Sequence, residues 1–312
     1  MRTVCLVNHR DYGKYVGEAV DSVLAQTRPL DEIVVVDDGS DPEHLARARS
    51  AAGGDPRIVL FEQPNRGQLS CFQVGLDRSS AELVFFLDAD DLWEPGYVES
   101  VVGVFEARPE VDFVATNVRR TFVDGDDQVD ELPSRDLGFS VVRCLEEGSS
   151  WVGAETSALA MRRSVLERIF PVPDPDAYRI SADQVLVYGS SVAGAHKYFL
   201  GEALVRYRVH GRNLYYGVEE DPRRAYRRRL EAKRLTEHLR RRLSLPPSLI
   251  DIVHLEFRTI ERPTEQEYRA YRGLVRRAAL PLWRKVWLGR RLLAHYRSQG
   301  GTGRRGRLLS DR

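Results

Sequence analysis

The sequence predicts an α/β protein: a mostly parallel sheet flanked by helices, followed by a basic α-helical C-terminal extension. Two observations predict the sheet. Strand-like apolar runs alternate with helix-period segments through the first two thirds of the chain, the pattern of a parallel sheet with both faces covered. Several of those runs are continuously apolar rather than alternating, as strands buried on both faces require. A third observation predicts the extension. Residues 1–220 carry 22 Lys/Arg against 37 Asp/Glu, whereas residues 221–312 carry 25 against 9, so the formal net charge of +1 hides two portions with different work to do.

The elements follow in order. "TVCLVN" opens a first strand, and Gly17 to Gln26 sets Ala19, Val20, Val23 and Leu24 on one helical face. "DEIVVVDDGS" is a β-branched run that ends in turn residues Asp37, Asp38, Gly39 and Ser40. A helix over 42–52, the strand "RIVLFE" and a helix from Gln68 come next, then the fourth strand "LVFFLD". "YVESVVGVFEARPEV" is helical, "DFVATNVRR" a strand, and the acidic, turn-rich "VDGDDQVDELPSRD" a surface loop or hairpin. "WVGAETSALAMRRSVLERI" reads strand then helix, followed by a loop with Pro171, Pro173 and Pro175. Ser181 is placed to cap a helix bearing Val185, Leu186 and Val187, and the short strand "ALVRYRVHG" closes the compact region. Two basic helical stretches follow, about 221–243 and 271–298, the second broken or kinked at Pro281. The Gly/Arg-rich end, about the last 15 residues, is expected to be disordered.

Composition and motifs exclude several classes. The cysteines at 5, 71 and 144 are odd in number, with no CxxC pair, so neither a disulfide framework nor a zinc site is suggested and a reducing compartment fits. The first residues enter a strand-like run at once, so no signal peptide is expected, and no run approaches about 18 apolar residues. There is no GxGxxG, GxxxxGK[ST] or GxSxG, and an EF-hand beginning at Asp88 fails on Leu92 and Trp93. What stands out is Asp88, Asp90 and Asp91 crowded at a strand end. Like charges this close cost stability unless a cation sits among them, and all-oxygen ligands suit Mg²⁺ or Mn²⁺. An acidic turn that only caps the next helix is the alternative. Because ligands of open α/β sheets bind beyond the strand carboxyl ends, Asp37/Asp38 and Asp88/Asp90/Asp91 are expected to share one crevice.

The blocks "SVLAQTRPLDEIVVVDDGS", "NRGQLSCFQVGL" and "ELVFFLDADDLWEPGYV", with "SADQVLVYGSSVAG" and "YRVHGRNLY" downstream, resemble the family 2 glycosyltransferases. The resemblance covers about residues 3–215 and implies a GT-A fold. It implies that Asp37 and Asp38 hold the nucleotide base and ribose of a nucleoside-diphosphate sugar, and that Asp88 and Asp90 are the outer residues of a DxD motif handling the metal and diphosphate. It implies Asp183 as the general base toward the acceptor hydroxyl, and His210 beside the metal or diphosphate. Asp91 supports these carboxylates or caps the following segment. Three departures stand out: Ala182 where the family usually has Glu, Cys71-Phe72-Gln73 in the second block, and "VNHRDYGKY" in place of the opening Pro-Thr-Tyr-Asn.

The function so expected is inverting transfer of a sugar from a nucleoside-diphosphate sugar, UDP- or dTDP-linked, with Mn²⁺ or Mg²⁺ as cofactor. The alternative is a non-catalytic nucleotide- or carbohydrate-binding protein on the same scaffold, for which Ala182 speaks. The expected division is a catalytic domain over 1–215 and a basic helical region over 216–312. The acceptor is left open among a glycan, a lipid-linked intermediate and a small molecule. For the basic region, packing on the catalytic domain or a second subunit stands beside peripheral membrane contact, since basic faces with Trp suit a membrane surface. Nucleic acid is not an expected partner, and the expected location is the cytoplasm, extending to the inner face of the cell membrane.

Overall fold

The computed structural model describes residues 1–300 except 123–124, 180–181, 212 and 214–220. The proposed cap Ser181, the boundary near 215 and the Gly/Arg-rich end therefore lie outside the described residues.

The first half is built as expected. β1 (Thr3–His9), α1 (Val16–Leu24), β2 (Glu32–Asp37), α2 (Pro42–Ala52), β3 (Ile58–Glu62), α3 (Gln68–Arg78) and β4 (Leu83–Asp88) alternate without exception. β5 (Leu92–Trp93), α4 (Tyr97–Ala107), β6 (Phe113–Phe122), β7 (Gln128–Val129), β8 (Arg135–Gly138), α5 (Val141–Glu147), β9 (Leu159–Arg162), α6 (Arg163–Ile169), α7 (Ala182–Val192) and β10 (Lys197–Val209) complete the sheet and its cover. The strand order is β3-β2-β1-β4-β9-β6-β10-β5, with β7 beside β6 and β8 beside β10. Pairing is parallel across β3, β2, β1 and β4 and again between β6 and β10. β9 runs antiparallel to both of its neighbours, β4 and β6.

This order positions the site. The chain moves outward from β1 through β2 to β3, then returns to β1's other side as β4, so the direction of winding reverses at β1. Such a reversal opens a crevice beyond the strand ends. Register places Asn8 beside Asp88 and His9 beside Asp37, which brings both acidic turns to the same rim. The strands that carry them are sealed on both faces: Ile33 to Val36 and Leu83 to Leu87 are buried throughout.

The C-terminal portion is helical, as expected: α8 (Pro222–Arg242), α9 (Val253–Arg258), α10 (Glu265–Arg277) and α11 (Leu282–Ser298). Pro281 does break the second stretch, standing just ahead of α11 with φ −58°. α8 packs on α7 through a buried stripe of Ala232, Leu235, Thr236 and Leu239, and Leu235 and Leu239 join the same core as the sheet. α9 to α11 enclose a smaller core, with Phe257, Tyr271, Leu274 and Leu288 packed around Val142 of α5. Two polar links fasten this core to the rest of the fold, one to β8 and one to α5. Arg135 grips Glu267 through two bonds of 2.6 and 3.0 Å, and Glu256 accepts the Val142 and Arg143 N–H groups at the start of α5. Among the described residues no helix is long and apolar enough to cross a membrane.

Candidate active site

The crevice is a cavity of about 440 Å³ lined by residues from five strand ends and loops. Asp38, Asp88, Asp90 and Asp183 all face it, together with Asn8, His9, Gln68, Glu155, Arg179 and Tyr207. Asp37 does not. Its carboxylate accepts from His9 Nδ1 at 2.9 Å and from the Gly39 and Ser40 N–H groups, closing the turn after β2 from inside. Burial pushes Asp37 up, but those hydrogen bonds outweigh it and hold the carboxyl below its ordinary range.

Asp38 reaches forward instead. It accepts from Gln63 Nε2 and from the Arg66 and Gly67 N–H groups, all at 2.7 Å, and so folds the β3–α3 loop against the β2 turn. Gly67 in that loop has φ +91° and leaves no room for a Cβ, which would meet Arg179 Cα at 2.5 Å. The loop after β1 is tied down as well: Asp11 N–H donates to Ser40 Oγ, and Asp41 N–H donates to Asp11. On this wall Asn8 Oδ1 and His9 Nε2 are buried with no hydrogen-bond partner among the described residues. Buried polar atoms left open on a cavity wall are what a polar ligand completes.

The three carboxylates after β4 converge as the sequence suggests: one oxygen from each of Asp88, Asp90 and Asp91 lies within 4.8 Å of the others. Their surroundings differ. Asp91 is buried and already engaged, accepting from Ser157 Oγ at 2.6 Å and Arg208 N at 3.1 Å. Asp90 meets His210 Nε2 at 3.1 Å, and that imidazole stacks on Tyr15 at 5.1 Å. Asp88 takes Gln68 Nε2 at 2.7 Å, yet burial first, then the charges of Asp90 and Asp183, push it up to about 8. Burial and the same neighbours push Asp91 up too. Burial and mutual repulsion thus penalise the ionised forms of Asp88 and Asp91, a penalty that a divalent cation placed among the carboxylates would relieve. The three converging carboxylates fit Mg²⁺ or Mn²⁺, while His210 stands outside that group as a partner of Asp90.

Asp183 stands in the first turn of α7 and also lines the cavity, near enough for its charge to act on Asp88. Burial pushes it up to about 6, against the downward pull of the Gln184 N–H bond and the Arg228 charge. The departure at 182 has a structural counterpart: Ala182 is fully buried, and its N–H donates to Gln68 Oε1 at 3.3 Å. Gln68 thus joins Asp88 to the start of the helix carrying Asp183.

Sequence reasoning missed Gln68, Glu155 and Arg179 as site residues. Gln68 had a signal, since it follows the glycine that opens α3. Arg179 and Glu155 had none: one reaches the cavity from the Pro-rich loop by bonding Asn65, the other from a turn before β9 while paired with Arg120 at 2.9 Å.

The family model for glycosyl transferase family 2 matches residues 3–170, more than half of the chain. The chain belongs to this family. An uncharacterised glycosyltransferase of Nostoc sp. is 37% identical over 68% of this chain and 66% of its own length. Glycosyltransferase GlyA of Streptococcus pneumoniae is 37% identical over 28% of this chain and 12% of its own length, so the chain spans less than two thirds of these curated relatives. Among solved structures, S. aureus TarS 1-349 in complex with UDP-GlcNAc superposes with a TM-score of 0.58 at 16% identity, covering 97% of this chain and 93% of that one. The same TarS region with UDP gives 0.54 at 16% identity, over 96% and 90%. These matches share the GT-A-like architecture with this family 2 member.

Proposed function

We propose that this protein transfers a sugar from a nucleoside-diphosphate sugar to an acceptor hydroxyl by a single inverting displacement. The observation that carries the proposal is that Asp183, on α7, and the Asp88/Asp90 pair, after β4, line one cavity. Displacement at an anomeric carbon needs a base for the incoming hydroxyl and charge stabilisation for the departing diphosphate, on opposite sides of the reacting carbon. Asp183 takes the hydroxyl proton. Asp88 and Asp90, with His210 behind Asp90, hold the divalent ion, Mn²⁺ or Mg²⁺, which supplies Lewis-acid stabilisation of the leaving group. Asp38 and the open polar atoms of Asn8 and His9 form the wall for the nucleoside, while Asp37 holds the turn that presents Asp38. The TarS complexes with UDP and UDP-GlcNAc support a uridine donor.

Ala182 favours a second reading, a binding protein that keeps the cavity and lacks turnover. Thermal melting against UDP, dTDP, GDP and their sugars, with and without Mn²⁺, separates the outcomes, because a ligand of the folded state raises the melting temperature. Stabilisation by one nucleotide that needs metal and disappears in Asp90→Ala supports the donor site. Release of free nucleoside diphosphate by the wild type, lost in Asp183→Asn, supports transfer. Stabilisation without any release, whatever the acceptor, leaves the binding protein.

A further inference from the structure

We propose that the outer face of α11, with the adjoining surface around α9, docks on an anionic lipid bilayer. α11 is apolar on two opposite sides. Leu288 and Leu292 fill the small C-terminal core at 0% exposure, whereas Leu282, Trp283, Val286 and Trp287 are 77, 72, 46 and 42% exposed. The four exposed residues stand at i, i+1, i+4 and i+5, which makes them one stripe rather than scattered points. The stripe continues off the helix. Trp287 packs edge-on against His254 at 4.9 Å, and Ile252, two residues before that histidine, and Leu255, immediately after it, are 39 and 50% exposed while Val253 between is buried. Isolated exposed apolar residues are ordinary, but a patch drawn from two elements marks a binding surface.

Charge selects the occupant. α11 contains no Asp or Glu and carries Arg284, Lys285, Arg290, Arg291 and Arg297. Arg290 falls two turns on from Trp283, on the stripe itself, and the Arg291 guanidinium lies 5.0 Å over the Trp287 ring. A second copy of the chain fits this surface poorly, because two-fold docking sets a patch against itself and would press an acid-free basic face onto its own image. A phosphate backbone matches the arginines but gives the exposed aliphatic residues nothing to enter. An anionic bilayer satisfies both halves: headgroup phosphates attract the cations, Trp rings sit at headgroup depth, and Leu and Val enter the acyl boundary. A 17-residue helix with five cations lies along such a surface rather than through it.

The test is sedimentation of the full-length protein with phosphatidylcholine vesicles, with and without phosphatidylglycerol. Binding is expected only with phosphatidylglycerol, weakening as salt rises. The double variant Leu282→Ser/Trp283→Ser should lower the partition by about tenfold or more. Arg290→Gln/Arg291→Gln should remove the preference for anionic vesicles. All four side chains lie outside the cavity, so an unchanged melting temperature separates lost docking from lost folding. The proposal is overturned if neither vesicle binds, if the Leu282/Trp283 variant binds as well as wild type, or if that variant instead splits a stable dimer. Binding to duplex DNA that survives the double substitution likewise overturns it in favour of a nucleic-acid surface.

Discussion

In the proposed reaction Asp183 must be ionised to accept a proton, and its surroundings set the pH at which that holds. Burial raises its carboxyl to about 6, while the Gln184 N–H and Arg228 pull it the other way. Turnover should therefore fall as pH drops through about 6. Arg228→Gln removes a stabilising cation, so the acid limb of the kcat profile should move to higher pH. A limb that stays in place would assign the proton transfer elsewhere. Gln68 acts at the same scale through two other residues, donating to Asp88 and accepting from Ala182 N–H. Gln68→Leu leaves both groups unserved in a buried setting. Loss of such a supporting hydrogen bond costs roughly 10- to 100-fold in metal affinity or activity. Titration of Mn²⁺ against turnover should show the fall as a raised metal requirement, and the Gln68→Glu variant should not restore it, since a carboxylate cannot donate to Asp88.

Between elements, the most consequential contact is Glu256 of α9 at the first turn of α5. Its carboxyl accepts Val142 N–H at 2.6 Å, Arg143 N–H at 2.9 Å and Tyr271 Oη–H at 2.9 Å, where the helix itself can offer those N–H groups nothing. Glu256→Ala strands three buried donors and should lower stability by roughly 1–3 kcal/mol, read from denaturant midpoints. Burial raises this carboxyl to about 7, so the folded state keeps a proton that the unfolded state sheds near 4.5. The contribution is then largest below pH 4.5 and is lost as pH rises through 7; Glu256→Gln should abolish that slope. Contacts of this kind explain what the sequence could and could not disclose. β1 to β4 and both acidic turns were legible because each is a local pattern: an apolar run, then turn residues. β9 is only four residues, and nothing in "LAMR" says that it will slot antiparallel between β4 and β6. β10 was expected near 203 but begins at Lys197, a fully buried lysine. Its ammonium is held by the Val152 and Val187 carbonyls and Ser191 Oγ, partners that no local pattern announces. In the site, Asp88, Asp90, Asp183 and His210 were named from sequence blocks, whereas Glu155 and Arg179 arrive by tertiary packing alone.

For the whole molecule, the charge asymmetry suggested two portions with different work, and packing on the catalytic domain stood among the expectations for the basic one. Leu235 and Leu239 of α8 are buried in the core that holds the sheet. Deletion after residue 220 should expose that core and yield insoluble protein or a large loss in melting temperature, rather than a soluble catalytic fragment. A stable, active fragment ending at 220 would refute this. The acidic loop after β4 carries a further consequence, one of timing. Ser157 receives Asp88 N–H, donates to Asp91, and through its backbone carbonyl accepts Trp93 Nε1–H. A growing chain thus releases its crowded carboxylates from the ribosome more than sixty residues ahead of the serine that arranges them. Until the turn before β9 arrives, the acidic loop lacks the hydroxyl and carbonyl that fix it, so it takes its final shape only after β1 to β4 have been made.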